Sequence, residues 1–393
     1  MAAIEVLRPR QVYRRVPSTE FGEPGVRTHG SDPRRTGSQA VGPVFLARFA
    51  DALLTPVGEG GPRTTAILDA ARSRVFSLDR SATEPDAVLG SGRVLNGAPL
   101  ACRRFAAPRA RFADALLVDD LPINYGHWIT DGFPVLGFAM GGDRPDRRDG
   151  TTVLIAGHRP EALRARFLEF LAAYGIGGDR VVFLDDHLGY RRYSKSGWRR
   201  RLRRVPWLVR QDTVRVDDLL VVTGHVKHPV AKYPGLASFY RGFAGRFPVD
   251  PGSPGRRLFV SREDAKDRRL VNEEEIFALC RRQGFEKVLG SRLSCREAVE
   301  AFSRAEIVVG VCGASMANIV FAQPRCRVVN LVSEEMGALW YWDLANVLSL
   351  PYCEVRGRVE GGEPGKAGGR RSCRDFSIPP AVFAGALSER LPS

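Results

Sequence analysis

Between residues 258 and 331 apolar runs alternate with amphipathic stretches. Leu258, Phe259 and Val260 form a short apolar run that predicts a buried strand. Asn272 can cap a helix, and Glu273, Glu274 and Glu275 suit its positive first turn. Ile276, Leu279 and Cys280 then recur with helical spacing, and Gly284 can end that helix. Residues 285–289 predict the next strand, and Ser294 caps a second helix whose apolar face carries Ala298, Val299 and Phe302. Ile307, Val308 and Val309 predict a third strand, which runs into Gly313, Ala314 and Ser315. A helix follows, and residues 327–332 predict a fourth strand. This alternation implies a parallel sheet with right-handed crossovers. Ligands of such sheets bind in the crevice beyond the strands' C-terminal ends.

The pattern before residue 258 is less regular. Residues 1–40 are polar and basic, with Pro17, Pro24 and Pro33, and read as a poorly ordered arm or extended cover. From Val44 the runs become short and strand-like, at 66–68, 74–78 and 115–118. Residues 152–155, 161–174 and 181–184 predict strand, helix and strand, a βαβ unit. Another strand is expected at 217–222, and residues 247–256, rich in Pro and Gly, read as a linker. The expected division is an arm at 1–40, an N-terminal α/β domain at 41–246, the linker at 247–256, and a C-terminal domain at 257–393 with a closing helix.

Composition adds constraints. The 393 residues allow two domains with full cores, and the 44% apolar share is that of a globular chain. A formal charge of +15 predicts anionic partners: nucleotide phosphates, lipid headgroups or nucleic acid. The 7 cysteines lack Cys-x-x-Cys spacing, which argues for reduced thiols and against a zinc site. No apolar stretch suits a signal peptide or a transmembrane helix. The expectation is a cytoplasmic protein, with peripheral contact to the inner, anionic face of the membrane allowed by its charge.

Five stretches carry candidate chemistry. Arg262, Arg268 and Arg269 follow the first strand of the regular region, and Gly313, Ala314 and Ser315 follow the third. Arginines and free helical N–H groups are the parts of an anion site. Neither stretch matches the dinucleotide fingerprint or the P-loop, and an Arg-rich solvated face with a packing glycine is the plain alternative. Asn124, Tyr125, Gly126, His127, Trp128, Asp131 and Gly132 fall together ahead of Pro134. They read either as a site or as a capped helix with a core Trp. Residues 190–204 interleave Tyr190, Tyr193 and Trp198 with basic residues, which suits nucleic acid, anionic lipid or a solvated loop. His225 and His228 stand three apart without an evident third ligand, as ordinary loop histidines do, and no metal site is expected.

The order of these elements resembles the family 61 glycosyltransferases. The resemblance lies in Tyr125-Gly126-His127-Trp128 with Asp131-Gly132 and Pro134, then Ser261-Arg262, Arg268, Asn272-Glu273 and Gly284-Phe285-Glu286. Leu293-Ser294 and Gly313-Ala314 with Asn318 and Phe321 complete it. Cys312 stands where the family usually has His, and Asn330 where an acid is common. The resemblance implies a GT-B-like α/β fold: two Rossmann-like domains with parallel sheets facing across a cleft. It implies an inverting transfer of a hexose or pentose from a nucleotide sugar to a glycan or lipid-linked acceptor, as in bacterial capsule or exopolysaccharide synthesis. It assigns the donor to Arg262, Arg268, Asn272, Cys312, Gly313, Ala314 and Asn318. His127 or Asp131 would serve as base, with Tyr125 and Trp128 on the acceptor side. No cofactor or metal is expected, since arginines and a helix end can neutralise the leaving diphosphate. Two alternatives stand beside this reading: a basic nucleic-acid-binding protein, and a family member that has lost activity at Cys312 and Asn330.

Overall fold

The computed structural model describes residues 2–16, 18–24, 26, 38–56, 65–78, 89–95, 98–118, 124–141, 150–157, 160–189, 210–227, 231–248, 255–360 and 374–391. The basic run at 190–204 and His228 lie outside the described residues. The chain divides into two compact units, Met1–Gln11 with Val41–Lys227, and Val12–Ala40 with His228–Ser393. The division falls before residues 247–256, where a linker was expected. The cause is the helix Gly235–Ala244, which buries Tyr240 and Phe243 against Phe321 of the second unit.

The N-terminal residues correct the expectation of an arm. Strand Ala2–Arg8 pairs antiparallel with Val44–Pro56 of the first unit, and Ile4 packs on that unit's core. Strand Thr19–Phe21 pairs in parallel with Tyr352–Val359 of the second. Backbone pairing orders both segments, and in the first it is joined by the packing of Ile4 and the burial of Leu7.

The first unit is built on a nine-stranded mixed sheet. Val181–Phe183, Thr152–Ile155, Arg104–Val118 and Arg210–Thr223 run parallel in that order. Beyond them Val44–Pro56, Thr65–Asp69, Val75–Leu78 and Leu89–Gly92 are antiparallel. The unit therefore departs from a Rossmann-like domain in half of its sheet. Tight turns such as the one at Asp69, whose carboxylate accepts the Ser73 and Arg74 N–H groups, leave no room for crossover helices. The two longest strands after residue 100 extend well beyond their apolar ends. Their polar portions are held by cross-strand ion pairs, Arg111 to Asp217 at 2.9 Å and Arg109 to Asp212 at 2.8 Å.

The second unit meets the expectation of a doubly wound fold. Arg256–Ser261, Glu286–Leu289, Ala305–Val311, Arg327–Ser333 and Tyr352–Val359 are its first to fifth parallel strands. They lie in the order two, one, three, four, five. Helix Glu273–Arg282 buries Ile276 and Cys280, and helix Cys295–Ser303 buries Ala298, Val299 and Phe302. Burying a large apolar side chain is worth ~2 kcal/mol, so these faces dock the helices on the sheet. Ser294 and Glu297 form a capping box that fixes where the second helix starts. The strand order reverses between the first strand and the third. That is the switch point, and Arg262 and Gly313 sit just beyond these two strands.

Candidate functional site

In the second unit the two anion-binding stretches come together. A Cβ built on Gly313 would stand 2.1 Å from Arg262 Nη1 and 3.0 Å from its Cζ, so the guanidinium lies directly against this glycine. Gly313 has extended backbone, and its need is for space rather than for an unusual φ. Arg262 is fixed by Asp267, whose carbonyl accepts from Nε at 3.0 Å and whose carboxylate accepts from Nη2 at 2.9 Å. That engages one edge of the guanidinium and leaves Nη1 against Gly313.

Gly313 leads into the 3-10 helix Ala314–Phe321. Its carbonyl accepts from Met316 N–H at 2.9 Å and from the Tyr341 hydroxyl. The carbonyl is thus tied inward, while the first N–H groups of the helix have no carbonyl before them to bond. Ala314 and Ser315 are only half-buried. Arg268 sits at φ 54°, a left-handed conformation that costs a non-glycine residue ~1 kcal/mol. Its charge, with that of Arg262, acts on both Cys312 and Tyr341. Burial pushes the Cys312 thiol up against the pull of these two arginines, so it stays neutral beside them.

Below Cys312 runs a buried polar chain. Asn330, next to Leu331 whose carbonyl accepts the Cys312 N–H, donates to the Tyr352 hydroxyl at 2.8 Å. Tyr352 donates to Glu354 at 2.9 Å, and Glu354 pairs with the fully buried Arg356. Asn330 therefore belongs to the floor of the site.

Two assigned donor residues do not face a ligand. Asn318 is 0% exposed within the 3-10 helix, packed into the interior. Asn272 holds the chain's end instead: its amide donates to the Ile378 carbonyl at 2.8 Å and accepts the Ile378 N–H at 3.2 Å. It stands at the N-cap position without making the cap bond, because its side chain is committed there.

In the first unit the Tyr125 stretch forms three consecutive helical pieces, Tyr125–His127, Trp128–Gly132 and Pro134–Met140. Asn124 caps the first by accepting the Gly126 N–H at 2.7 Å. The middle piece is a π turn, closed by Phe133 N–H to the Trp128 carbonyl at 2.7 Å. Pro134 has no N–H to continue the α ladder, and one extra residue accommodates it.

The π turn brings His127 Nδ1 to 3.0 Å from Asp131 Oδ2. A carboxylate there favours the proton on Nδ1, which makes Nε2 the basic nitrogen of the ring. The His127 side chain is 17% exposed, whereas Asp131 is 2% exposed. Thr130 Oγ1 donates to Asp131 Oδ1 at 2.8 Å. His225 Nε2 lies 2.7 Å from the Asp131 carbonyl and donates to it. Trp128 is corrected from the acceptor side to the core. It is fully buried and stacks on Phe167 at 4.0 Å. Tyr125 remains half-buried, beneath the Arg166 guanidinium.

Sequence alone does not mark Asp267, Tyr341, Thr130 or His225 as parts of these sites. Only Asp267 and Thr130 are close enough in sequence to their partners to have been suspected. Among the described residues no cluster of His, Cys, Asp and Glu has the arrangement of a metal site.

Two solved structures resemble the chain at low identity. One is a dodecameric iron-containing heptosyltransferase, TibC, in complex with ADP-D-beta-D-heptose. It is 11% identical, with 88% of this chain and 93% of that chain covered and a TM-score of 0.32. The other is the dodecameric iron-containing glycosyltransferase TibC from enterotoxigenic E. coli H10407. It is 8% identical, with 89% and 86% covered and a TM-score of 0.28. No curated protein matches the chain. The family model described as Glycosyltransferase 61 matches residues 125–329, more than half of the 393 residues and the whole interval from the Tyr125 helix to the fourth strand of the second unit. The matched interval holds the Tyr125 stretch and both anion-binding stretches, and the chain belongs to the glycosyltransferase 61 family.

Proposed function

We propose that this glycosyltransferase inverts the anomeric centre of a nucleotide sugar, and that its acceptor is a glycan or lipid-linked glycan of a surface polysaccharide. The proposal assigns the donor diphosphate to Arg262, Arg268 and the turn at Gly313, and the acceptor's proton to the His127–Asp131 pair. His127 Nε2 takes the acceptor's proton, and the resulting oxygen attacks the anomeric carbon. The bond from that carbon to the diphosphate oxygen breaks, and the nucleoside diphosphate leaves with the added charge. Arg262, Arg268 and the N–H groups after Gly313 offset that charge, and no metal is assigned to the task.

The observation that carries the reading is Arg262 against Gly313 at the switch point of a doubly wound sheet. A cation and a helix start converge there, where such sheets bind ligands. The test is calorimetry of a nucleoside diphosphate panel (UDP, GDP, ADP and CDP) in EDTA. Arg262→Ala and Arg268→Ala are each expected to weaken the best binder at least tenfold, with little change in melting temperature. Unchanged affinity in both variants removes the diphosphate from this site. The nucleic-acid alternative rests on residues 190–204, and no described feature favours it.

A further inference from the structure

We infer that Glu273 is the positioning residue of the diphosphate site, acting through Arg262. The inference rests on the proposed function and deepens it by naming what aims the cation. Glu273 is the first residue of helix Glu273–Arg282 and is 7% exposed. A glutamate in a first helical turn is ordinarily solvated and answers only the helix dipole. This one turns back under the end of the first strand. Oε1 accepts the Ser261 hydroxyl, and Oε2 accepts the Arg262 N–H at 3.2 Å.

Both carboxylate oxygens are thus spent on the two residues that lead the chain out of the first strand. Ser261 Oγ in turn accepts the Glu263 N–H at 3.2 Å, so three successive residues hang on one carboxylate. Lys287 of the second strand lies 3.7 Å from Glu273 Oε1, while its hydrogen bonds go to Glu263 and Glu274. Asp267 then fixes the guanidinium from the other side. The backbone of Arg262 is set by Glu273 and its head by Asp267, which together put Nη1 against Gly313. Ser261 itself is buried, so neither its hydroxyl nor the Arg262 N–H has water to fall back on.

The chemistry predicts which substitution is tolerated. Glutamine keeps the length, its oxygen accepts the Arg262 N–H, and its amide can donate to Ser261 Oγ with the hydroxyl rotated. Alanine removes both acceptors.

The experiment is nucleoside diphosphate affinity by calorimetry, with melting temperature, for wild type, Glu273→Ala, Glu273→Gln, Ser261→Ala and Arg262→Ala, plus the Glu273→Ala/Arg262→Ala double variant. Glu273→Ala is expected to weaken the best of UDP, GDP, ADP and CDP by about tenfold. Glu273→Gln should return it to within about threefold of wild type, and Ser261→Ala should fall between. In the Arg262→Ala background, Glu273→Ala should have no further effect on affinity, since the residue it positions is gone. Equal weakening in both backgrounds, or wild-type affinity in Glu273→Ala while Arg262→Ala is weakened, overturns the inference and leaves the proposed function standing. If Glu273→Ala fails to fold, Ser261→Ala and Glu273→Gln carry the test. Wild-type affinity in Ser261→Ala, or a Glu273→Gln protein as weak as Arg262→Ala, then overturns it. A wild-type chain that binds none of the four overturns the proposed function and this inference with it.

Discussion

At the scale of single residues the two members of the first unit's pair differ in what they can reach. Asp131 spends its carboxylate on His127 and Thr130 and is nearly sealed from solvent. His127 has Nε2 as its basic ring nitrogen and keeps some exposed surface. His127→Ala is therefore expected to lower turnover by roughly a hundredfold or more, the usual worth of general-base catalysis. Asp131→Asn should cost less, because it leaves the imidazole in place and disturbs only its tautomer and aim. Donor affinity should change little in either variant. Turnover, donor affinity and melting temperature on the same purified proteins decide the matter. A folded Asp131→Asn protein more damaged than His127→Ala would make Asp131 the base. Near-normal turnover in folded His127→Ala would remove the histidine from catalysis. Trp128, next in the chain, belongs to a different question: buried against Phe167, it answers to stability.

At the scale of elements, the second unit's first two strands are joined at their starts by Arg256 and Glu286, whose side chains pair in two-point fashion. The Arg256 hydrogen bond holds the Glu286 carboxyl below the ordinary glutamate range, against a smaller opposing effect of burial. The folded pKa is depressed, so the pair's stabilisation is fully present above the unfolded value of about 4.3. It is lost as pH falls through the lower folded value. Both side chains are partly exposed, and the pair is worth only ~0.5 kcal/mol at neutral pH. Glu286→Gln should lower the melting temperature slightly at pH 7, and by less as the pH falls below the ordinary glutamate range. A difference that grows toward acid pH would contradict the sign.

Elements also show what a sequence can reveal. The second unit's strands are covered on both faces, so they stand out as apolar runs between turns, and its helices carry one apolar stripe each. Loops after such strands are where ligands bind, and this made Arg262 and Gly313 legible before any coordinates. The first unit's long strands alternate charged residues whose partners lie on another strand, and a ladder of ion pairs leaves no apolar signature. Tyr341 reaches Gly313 across 28 residues, and His225 reaches Asp131 across 94. No local pattern marks such partners. Glu273 was visible as a helix-start glutamate and in the Asn272-Glu273 pair, but the fold alone turns it toward Ser261.

For the whole molecule, the first twenty residues matter more than their composition suggests. Strand Ala2–Arg8 completes an edge of the first unit's sheet. A few residues on, Tyr13 and Arg15 belong to the second unit and converge on Asp343, which is completely buried in helix Trp340–Leu348. Arg15 Nη2 is 2.6 Å from Asp343 Oδ1, and Lys232 donates its backbone N–H to Oδ2 at 3.0 Å. Lys232 Nζ lies 4.0 Å from the same carboxylate. Trp342 Nε1 donates to the Val16 carbonyl at 2.9 Å, and Asn346 accepts the Val16 N–H at 2.6 Å. One buried carboxylate thus faces two buried cations and anchors the N-terminal segment. Asp343→Ala removes the carboxylate that Arg15 and Lys232 share and is expected to cost ~3–5 kcal/mol. Arg15→Met should cost much less, since Asp343 keeps Lys232 and the Met side chain can still pack on the Trp342 ring. Deletion of residues 1–16 should destabilise the protein, whereas a loosely attached arm could be removed without effect. Thermal melts of the three variants test the ordering. Equal melting temperatures for Asp343→Ala and Arg15→Met would show that the second cation contributes nothing. A deletion that melts with wild type would detach the segment from both cores.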